Sequence, residues 1–467
     1  MSPVPSPRGR GALALAGALT FVGCVDAPDP AVDTAEHATL SGPDPKLTAA
    51  YVKLLHPFGF EENLIANGYR PSVGDVPAPR EVPLLLVLAE RRAANPDGSC
   101  PDIFPRPSDE IEDIVFGGGM PSIRNYFAAS SHGRLLFTRA GVAHVCGLPA
   151  TTWYKNEDLV PAVLAAIDPT VHLGAYDREG DGVVSSEELT ILVLDDWASD
   201  HGQTLGMTVG ITGGSYRGFI ATGSAAAPFF VWAHELGHTL GADDLYGAAS
   251  AFNDGSTLYG ATPADAEASI DMDAWTKFRL GWLRPALVEL GGKASGSAML
   301  ACGDTDLAEV SGAVLFHDPA RGTDEYFLAE ARCQRDYDAG TPERGVAIWQ
   351  VLQQPDTFEG SAVFGMYRSY AKGWDGCAAG PTGEAMCTTP SVCLHDVRSD
   401  NRDVCRASHF LRERKLFAPW LPLWWADRSP AGIELAVAPM IEYVDYGIPG
   451  YHHVEHLLGY ELTWRPH

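Results

Sequence analysis

The sequence predicts an α/β (α+β) domain built on a mixed sheet, followed by a disulfide-stapled, β-rich C-terminal region. Three observations predict it. Residues 84–89 and 189–194 are continuous apolar runs, the pattern of strands buried on both faces. Segments with helical patterning at 121–131, 157–167 and 228–240 alternate with them, as α/β architecture requires. Beyond about residue 284 the apolar runs shorten and are broken by Gly, Pro, Asp and Cys, the texture of a stapled β region. The 467 residues, 46% hydrophobic and 20% charged, are enough for more than one folded region and argue against disorder. A formal net charge of -27 excludes nucleic acid as an expected partner, because phosphate backbones are bound through basic patches.

The chain opens as a targeting segment. Arg8 and Arg10 form a basic stretch, and residues 11–23 form an apolar run too short to span a bilayer as a mature helix, so residues 1–23 read as a signal peptide. Phe21-Val22-Gly23-Cys24 resembles the lipobox of bacterial lipoproteins, which makes Cys24 a candidate lipidation site. Cleavage by an ordinary signal peptidase is the alternative. Both place the protein outside the cytoplasm, in the bacterial cell envelope or beyond it, with membrane contact expected only through a lipid on Cys24. Residues 24–45, rich in Asp, Pro and Ala, read as a tether.

From there the elements follow in order. The strand at 84–89 ends in Glu90. The helix at 121–131 is stopped by Gly133, and short strands follow at 134–138 and 142–146. Another helix covers 157–167, the second buried strand 189–194, and a Gly-rich stretch leads to a helix at 228–240 with Pro228 in its first turn. With Cys24 set aside, eight of the nine cysteines remain, an even number suited to disulfides in an oxidising compartment. Cys100 and Cys146 are expected to pair. For Cys302, Cys333, Cys377, Cys387, Cys393 and Cys405 the sequence leaves the connectivity open. A structural zinc site at 377–405 is the competing reading, and it lacks close Cys-x-x-Cys pairs.

The segment VWAHELGHTLGADD at 231–244 carries the functional argument. His234 and His238, four residues apart, leave the same helix face one turn from each other, the spacing at which two imidazoles grip one zinc ion. Glu235 then stands beside the open coordination position as a general base. Gly241 can end the helix in a left-handed turn that brings Asp244 back as third ligand. Asp243 and Glu267 are the alternatives for that ligand, and a chance His-Glu-x-x-His on a surface helix is the bland reading of the whole motif. The site class is zincin-like, and peptide hydrolysis is the chemistry expected of it. Tyr246 or Tyr259 could assist a tetrahedral oxyanion, against a bland reading of each as a packed aromatic.

A second cation site is suggested by DREGDGVVSSEE at 177–188, which follows EF-hand spacing. Asp177, Glu179, Asp181, the Val183 carbonyl and Glu188 supply oxygens for a structural calcium, and Gly182 takes the sharp turn. A solvated acidic turn is the alternative.

Beyond the zinc motif, the chain resembles the immune inhibitor A-like family of secreted bacterial metallopeptidases. The resemblance rests on MPSIRNYFAASSHGRL at 120–135, AWTKFRLGWL at 274–283, EYFLAEAR at 325–332 and GVAIWQV at 345–351, with a weaker echo at 424–437. It covers about residues 80–351 and implies a zinc endopeptidase acting on protein or peptide substrates, while the composition and the change of texture set a catalytic domain at 46–283 and the β-rich region at 284–467. It also implies His234, His238 and Asp244 as ligands and Glu235 as base. Two departures stand out. Related peptidases place a methionine turn beneath the zinc, whereas here Leu258, Tyr259 and Gly260 follow the helix and the first methionine downstream is Met272. Gln350 stands where the family often has histidine. The alternative function is a catalytically weak zinc- or calcium-containing surface lipoprotein that acts as a binding or adhesion module.

Overall fold

The computed structural model describes residues 80–149, 155–198, 201–242, 257–259, 270–283, 285–291, 295–302, 312–321, 325–333, 335–341, 345–352, 377–379, 385–387, 409–411, 420–425, 429–444 and 454–467. All belong to one compact unit, Pro45–His467. The signal peptide, Cys24, the tether, Asp243, Asp244, Tyr246, Glu267, Cys393 and Cys405 lie outside the described residues.

The N-terminal half forms a mixed sheet. Strands β1 (Arg80–Glu90), β2 (Leu135–Cys146), β3 (Val183–Ser185), β4 (Thr190–Asp195) and β6 (Gly214–Ser224) run parallel in the order β2-β1-β4-β6-β3. Strand β5 (Gly202–Ile211) pairs antiparallel with β6. Strand β1 is apolar on both faces because both are covered. Val82, Leu84, Leu86 and Leu88 face one core with helices α1 (Ser108–Phe116), α2 (Ile123–Ser130) and α4 (Phe229–Thr239). Leu85, Val87 and Ala89 face a second core with α3 (Asn156–Val171). The period-2 alternation of a strand thus divides a single apolar run between two layers of helix.

One expectation is corrected at this level and one gap is filled. The separate strands at 134–138 and 142–146 are one strand, β2, and the apparent break is a bulge where the register with β1 shifts between Leu84 and Leu85. The Gly-rich stretch before α4 received no element from the sequence. It is the β5–β6 hairpin, turning at Thr212 and Gly213, whose φ of 88° suits glycine.

The C-terminal half is built from β-strands. Strands β7 (Ala286–Glu289), β9 (Ala313–His317), β10 (Glu325–Arg332), β11 (Gly345–Leu352) and β14 (His409–Leu411) form a sheet in the order β14-β11-β10-β9-β7. Strands β8 (Gly296–Ala301), β15 (Leu421–Trp424), β16 (Pro430–Val444) and β17 (Val454–Pro466) form a second sheet, β15-β16-β17-β8, and β12 (Cys377–Ala379) pairs with β13 (Ala385–Cys387). Val314, Phe316, Phe327 and Ile348 of one sheet and Leu300, Ile433, Leu435 and Leu462 of the other fill the core between them, giving a sandwich. The opposite face of the first sheet, through Leu315, Tyr326, Leu328 and Trp349, packs on Ala274, Trp275 and Phe278 of helix α5 (Ala274–Arg279). That helix follows the metal-motif region in sequence, so the two halves share a core.

Disulfides join Cys100 to Cys146, as expected, and Cys302 to Cys333, one of the open pairings. Among the described residues no helix is long and apolar enough to cross a membrane.

Candidate metal centre

Helix α4 lies against the sheet because Trp232, Ala233 and Leu236 belong to the helix-covered core, and the Trp232 indole N–H donates to Ser224 O at 2.9 Å. The opposite side of the helix carries His234 and His238, both half-buried. Helix α4 ends as the sequence reading expects. Gly241 has φ 96°, Gly241 N–H donates to His238 O, and Ala242 N–H reaches back to Gly237 O at 3.1 Å, the reciprocal bonds of a Schellman motif.

That turn returns a carbonyl to the site. Ala242 O lies 2.8 Å from His238 Nδ1, and Leu258 O lies 3.1 Å from His234 Nδ1. A carbonyl can only accept, so each imidazole carries its proton on Nδ1 and presents a lone pair at Nε2. The two Nε2 atoms stand 3.0 Å apart. Two neutral acceptors that close repel one another unless a proton or a metal cation lies between them. Nitrogens bound to one tetrahedral zinc at the usual distances stand about 3.3 Å apart, so this donor pair fits such an ion.

Glu235, 7% exposed, projects from the same helix. The Thr204 hydroxyl of β5 is 2.8 Å from Glu235 Oε2 and 2.7 Å from Glu235 O, and donates to one at a time. Gly202, at the start of β5, passes so close that a Cβ there would sit 2.6 Å from Glu235 Oε1. Beneath the histidines, the ring of Tyr259 lies 5.0 Å from that of His234 and 5.3 Å from that of His238, and is fully buried. This is the placement of a packed aromatic, the bland reading of Tyr259. A Cβ on Gly237 would stand 1.4 Å from the Tyr259 hydroxyl and 3.3 Å from Met272 Cε, so the residue between the histidines must be glycine for the tyrosine and methionine to pack there. Met272, distant in sequence from the motif, is therefore the methionine under this helix.

His234, Glu235 and His238 are thus brought together, while Asp244 lies outside the described residues. Among those residues no group of three or more His, Cys, Asp or Glu side chains converges to hold a metal. This includes the 177–188 loop. Its Asp177 accepts the amides of Gly180, Asp181 and Gly182, and Asp181 accepts that of Val183. Glu188 accepts the amides of Arg178, Glu179 and Ser185. The loop closes on its own backbone through the carboxylates expected around calcium.

Thr204, Gly202 and the carbonyls of Ala242 and Leu258 were not foreseen as parts of the centre. One threonine among several in a Gly-rich stretch carries no signal, and a backbone carbonyl has none in any sequence. Comparison with family models and with curated proteins found no match.

Proposed function

We propose that the protein is an exported zinc-dependent endopeptidase that hydrolyses peptide bonds in proteins, of the immune inhibitor A-like kind that its motifs resemble. The observation that carries the reading is the pair of imidazoles with carbonyl-bound Nδ1 atoms and Nε2 lone pairs 3.0 Å apart, one turn apart on a helix that also carries buried Glu235. His234 and His238 are two ligands of the zinc and Asp244 the expected third. Bound zinc supplies Lewis acidity, polarising a carbonyl and lowering the pKa of water to about 7.

The chain's own groups do the rest. Glu235 accepts the proton of the attacking water and passes it to the leaving amine, while the Thr204 hydroxyl holds its carboxylate in one orientation. Strand β5 begins beside Glu235 and, among the described residues, pairs only with β6. An open edge of that kind accepts an extended peptide as an added strand, which suits a polymeric substrate better than a small molecule.

Export rests on the targeting segment, with lipidation at Cys24, and the two disulfides agree with an oxidising compartment. A structural calcium at Asp177, Glu179, Asp181, Val183 and Glu188 belongs to the same proposal on spacing alone. One experiment tests the set. After chelation the protein is expected to stop cutting casein, zinc to restore internal cleavage, and calcium to raise the melting temperature. Cleavage that persists in chelator would overturn the zinc reading; a melting temperature indifferent to calcium would remove the second ion.

A further inference from the structure

Of the two carbonyls that orient the histidines, Ala242 O is fixed by the helix terminus, whereas Leu258 O belongs to an irregular segment that needs its own support. That support is traceable. Leu258 N–H donates to Asp271 O at 3.2 Å, and the Thr257 hydroxyl donates to Asp273 Oδ2 at 2.7 Å, so 257–258 is bound to the backbone and side chains of 271–273. The 271–273 stretch is gripped in turn by Arg332. Its Nη1 is 3.3 Å from Asp271 O and its Nη2 is 3.0 Å from Met272 O.

Arg332 comes from the end of β10, in the C-terminal sheet, and is 1% exposed. Glu330 Oε1 lies 3.2 Å from its Nε, and Asp338 Oδ1 lies 2.6 Å from its Nη1. Glu330 is itself held by the amide of Ala274 at 3.0 Å and by the Trp349 indole at 2.6 Å. Lys277 pairs with the carboxylate of Asp271. Glu330 and Arg332 belong to the EYFLAEAR stretch, Trp349 to GVAIWQV, and Ala274 and Lys277 to AWTKFRLGWL, stretches for which the proposed chemistry has no use.

Burying an arginine with its acids is a poor way to gain stability, since apolar side chains of similar volume generally do as well or better. What a guanidinium offers is geometry: a rigid planar fork whose two amino groups reach two successive carbonyls at once, which an ammonium cannot do. We infer that Arg332 is a positioning residue for His234, acting through Asp271 O and Leu258 O to fix the proton on His234 Nδ1 and to aim Nε2. Arg332 also holds Met272 O, and so fixes the methionine packed under Gly237. The C-terminal sheet thereby becomes part of the metal centre's support. The inference rests on His234 and His238 being metal ligands.

The test compares wild type, His238→Ala, Arg332→Lys and Asp338→Asn. It measures zinc dissociation constants by chelator competition, the visible absorption of the cobalt-substituted protein, and thermal melting. Arg332→Lys keeps the charge and loses the fork. It is expected to weaken zinc binding by about 10- to 100-fold, the usual effect of losing a group behind a ligand, and to change the cobalt spectrum. Asp338→Asn, which weakens one holder of the fork and also alters the acceptor of Cys333 N–H, is expected to move both readouts the same way by less, and decides the matter if Arg332→Lys does not fold. A lower melting temperature with the zinc constant and cobalt spectrum of wild type would reduce Arg332 to a structural role and overturn the inference. If wild type binds zinc and His238→Ala does not, that failure leaves the ligand assignment standing. If wild type binds no zinc, both fall.

Discussion

A neutral imidazole has one donor and one acceptor nitrogen, so fixing the partner of one fixes the character of the other. Here both Nδ1 atoms face carbonyls, which turns the two Nε2 atoms, 3.0 Å apart, toward each other. Gly237, between the histidines, is constrained at the level of a single hydrogen atom. Gly237→Ala forces the Tyr259 hydroxyl to move and overpacks the floor against Met272. It is expected to cost about 1–3 kcal/mol, measured by urea denaturation, and to weaken zinc binding with it. Unchanged stability would show that the tyrosine yields freely.

At the scale of elements, side chains that join one segment to another matter most. Asp168, near the end of α3, accepts Leu173 N–H at 3.2 Å and Thr212 N–H at 2.6 Å, tying that helix to the β5–β6 turn. Burial raises its carboxyl pKa, but the hydrogen bonds from Thr212 and Leu173 outweigh this and hold it below the ordinary value of 3.8. A carboxylate with a depressed folded pKa contributes stability that is fully present above its unfolded pKa and lost as pH falls through the folded one. Asp168→Asn should therefore destabilise by about 1–3 kcal/mol at pH 7, with the difference from wild type shrinking only below about pH 4. A difference that shrinks between pH 7 and 5 would contradict this account of the residue.

What the sequence made legible follows from the same physics. Strands β1 and β4 were readable because both faces are buried and the apolar run is unbroken, and α4 because its apolar stripe and Gly241 mark face and end. The β5–β6 hairpin was not, since glycines at Gly202, Gly206, Gly210, Gly213, Gly214, Gly218 and Gly223 mask its alternation. Yet three of them are required by close approach: Gly202 leaves room for Glu235, Gly214 for the carbonyl of Gly182, and Gly218 for Ser186. The bulge in β2 looked like a turn because it interrupts the pattern as a turn does. Within the site, the motif supplied His234, Glu235 and His238; the carbonyls that orient the histidines, and Met272 beneath them, depend on long-range folding that no local pattern encodes.

On the scale of the whole molecule, the α/β half and the β-rich half are one physical system. Helix α5 buries Trp275 and Phe278 against the C-terminal sheet, Tyr337 exchanges hydrogen bonds with Ser122 at the start of α2, and Arg332 grips the segment behind His234. A site assembled from both halves gains rigidity from a core that neither completes alone. In the proposed function this rigidity serves a zinc ion whose chemistry depends on Glu235, and the most direct measurement is zinc content together with casein digestion for wild type beside Glu235→Ala. About one zinc per chain in both proteins, with cleavage falling by about 10²- to 10⁴-fold or more in the variant, is the expected result. A folded wild type that holds no zinc, or a variant that cuts as fast as wild type, would contradict it.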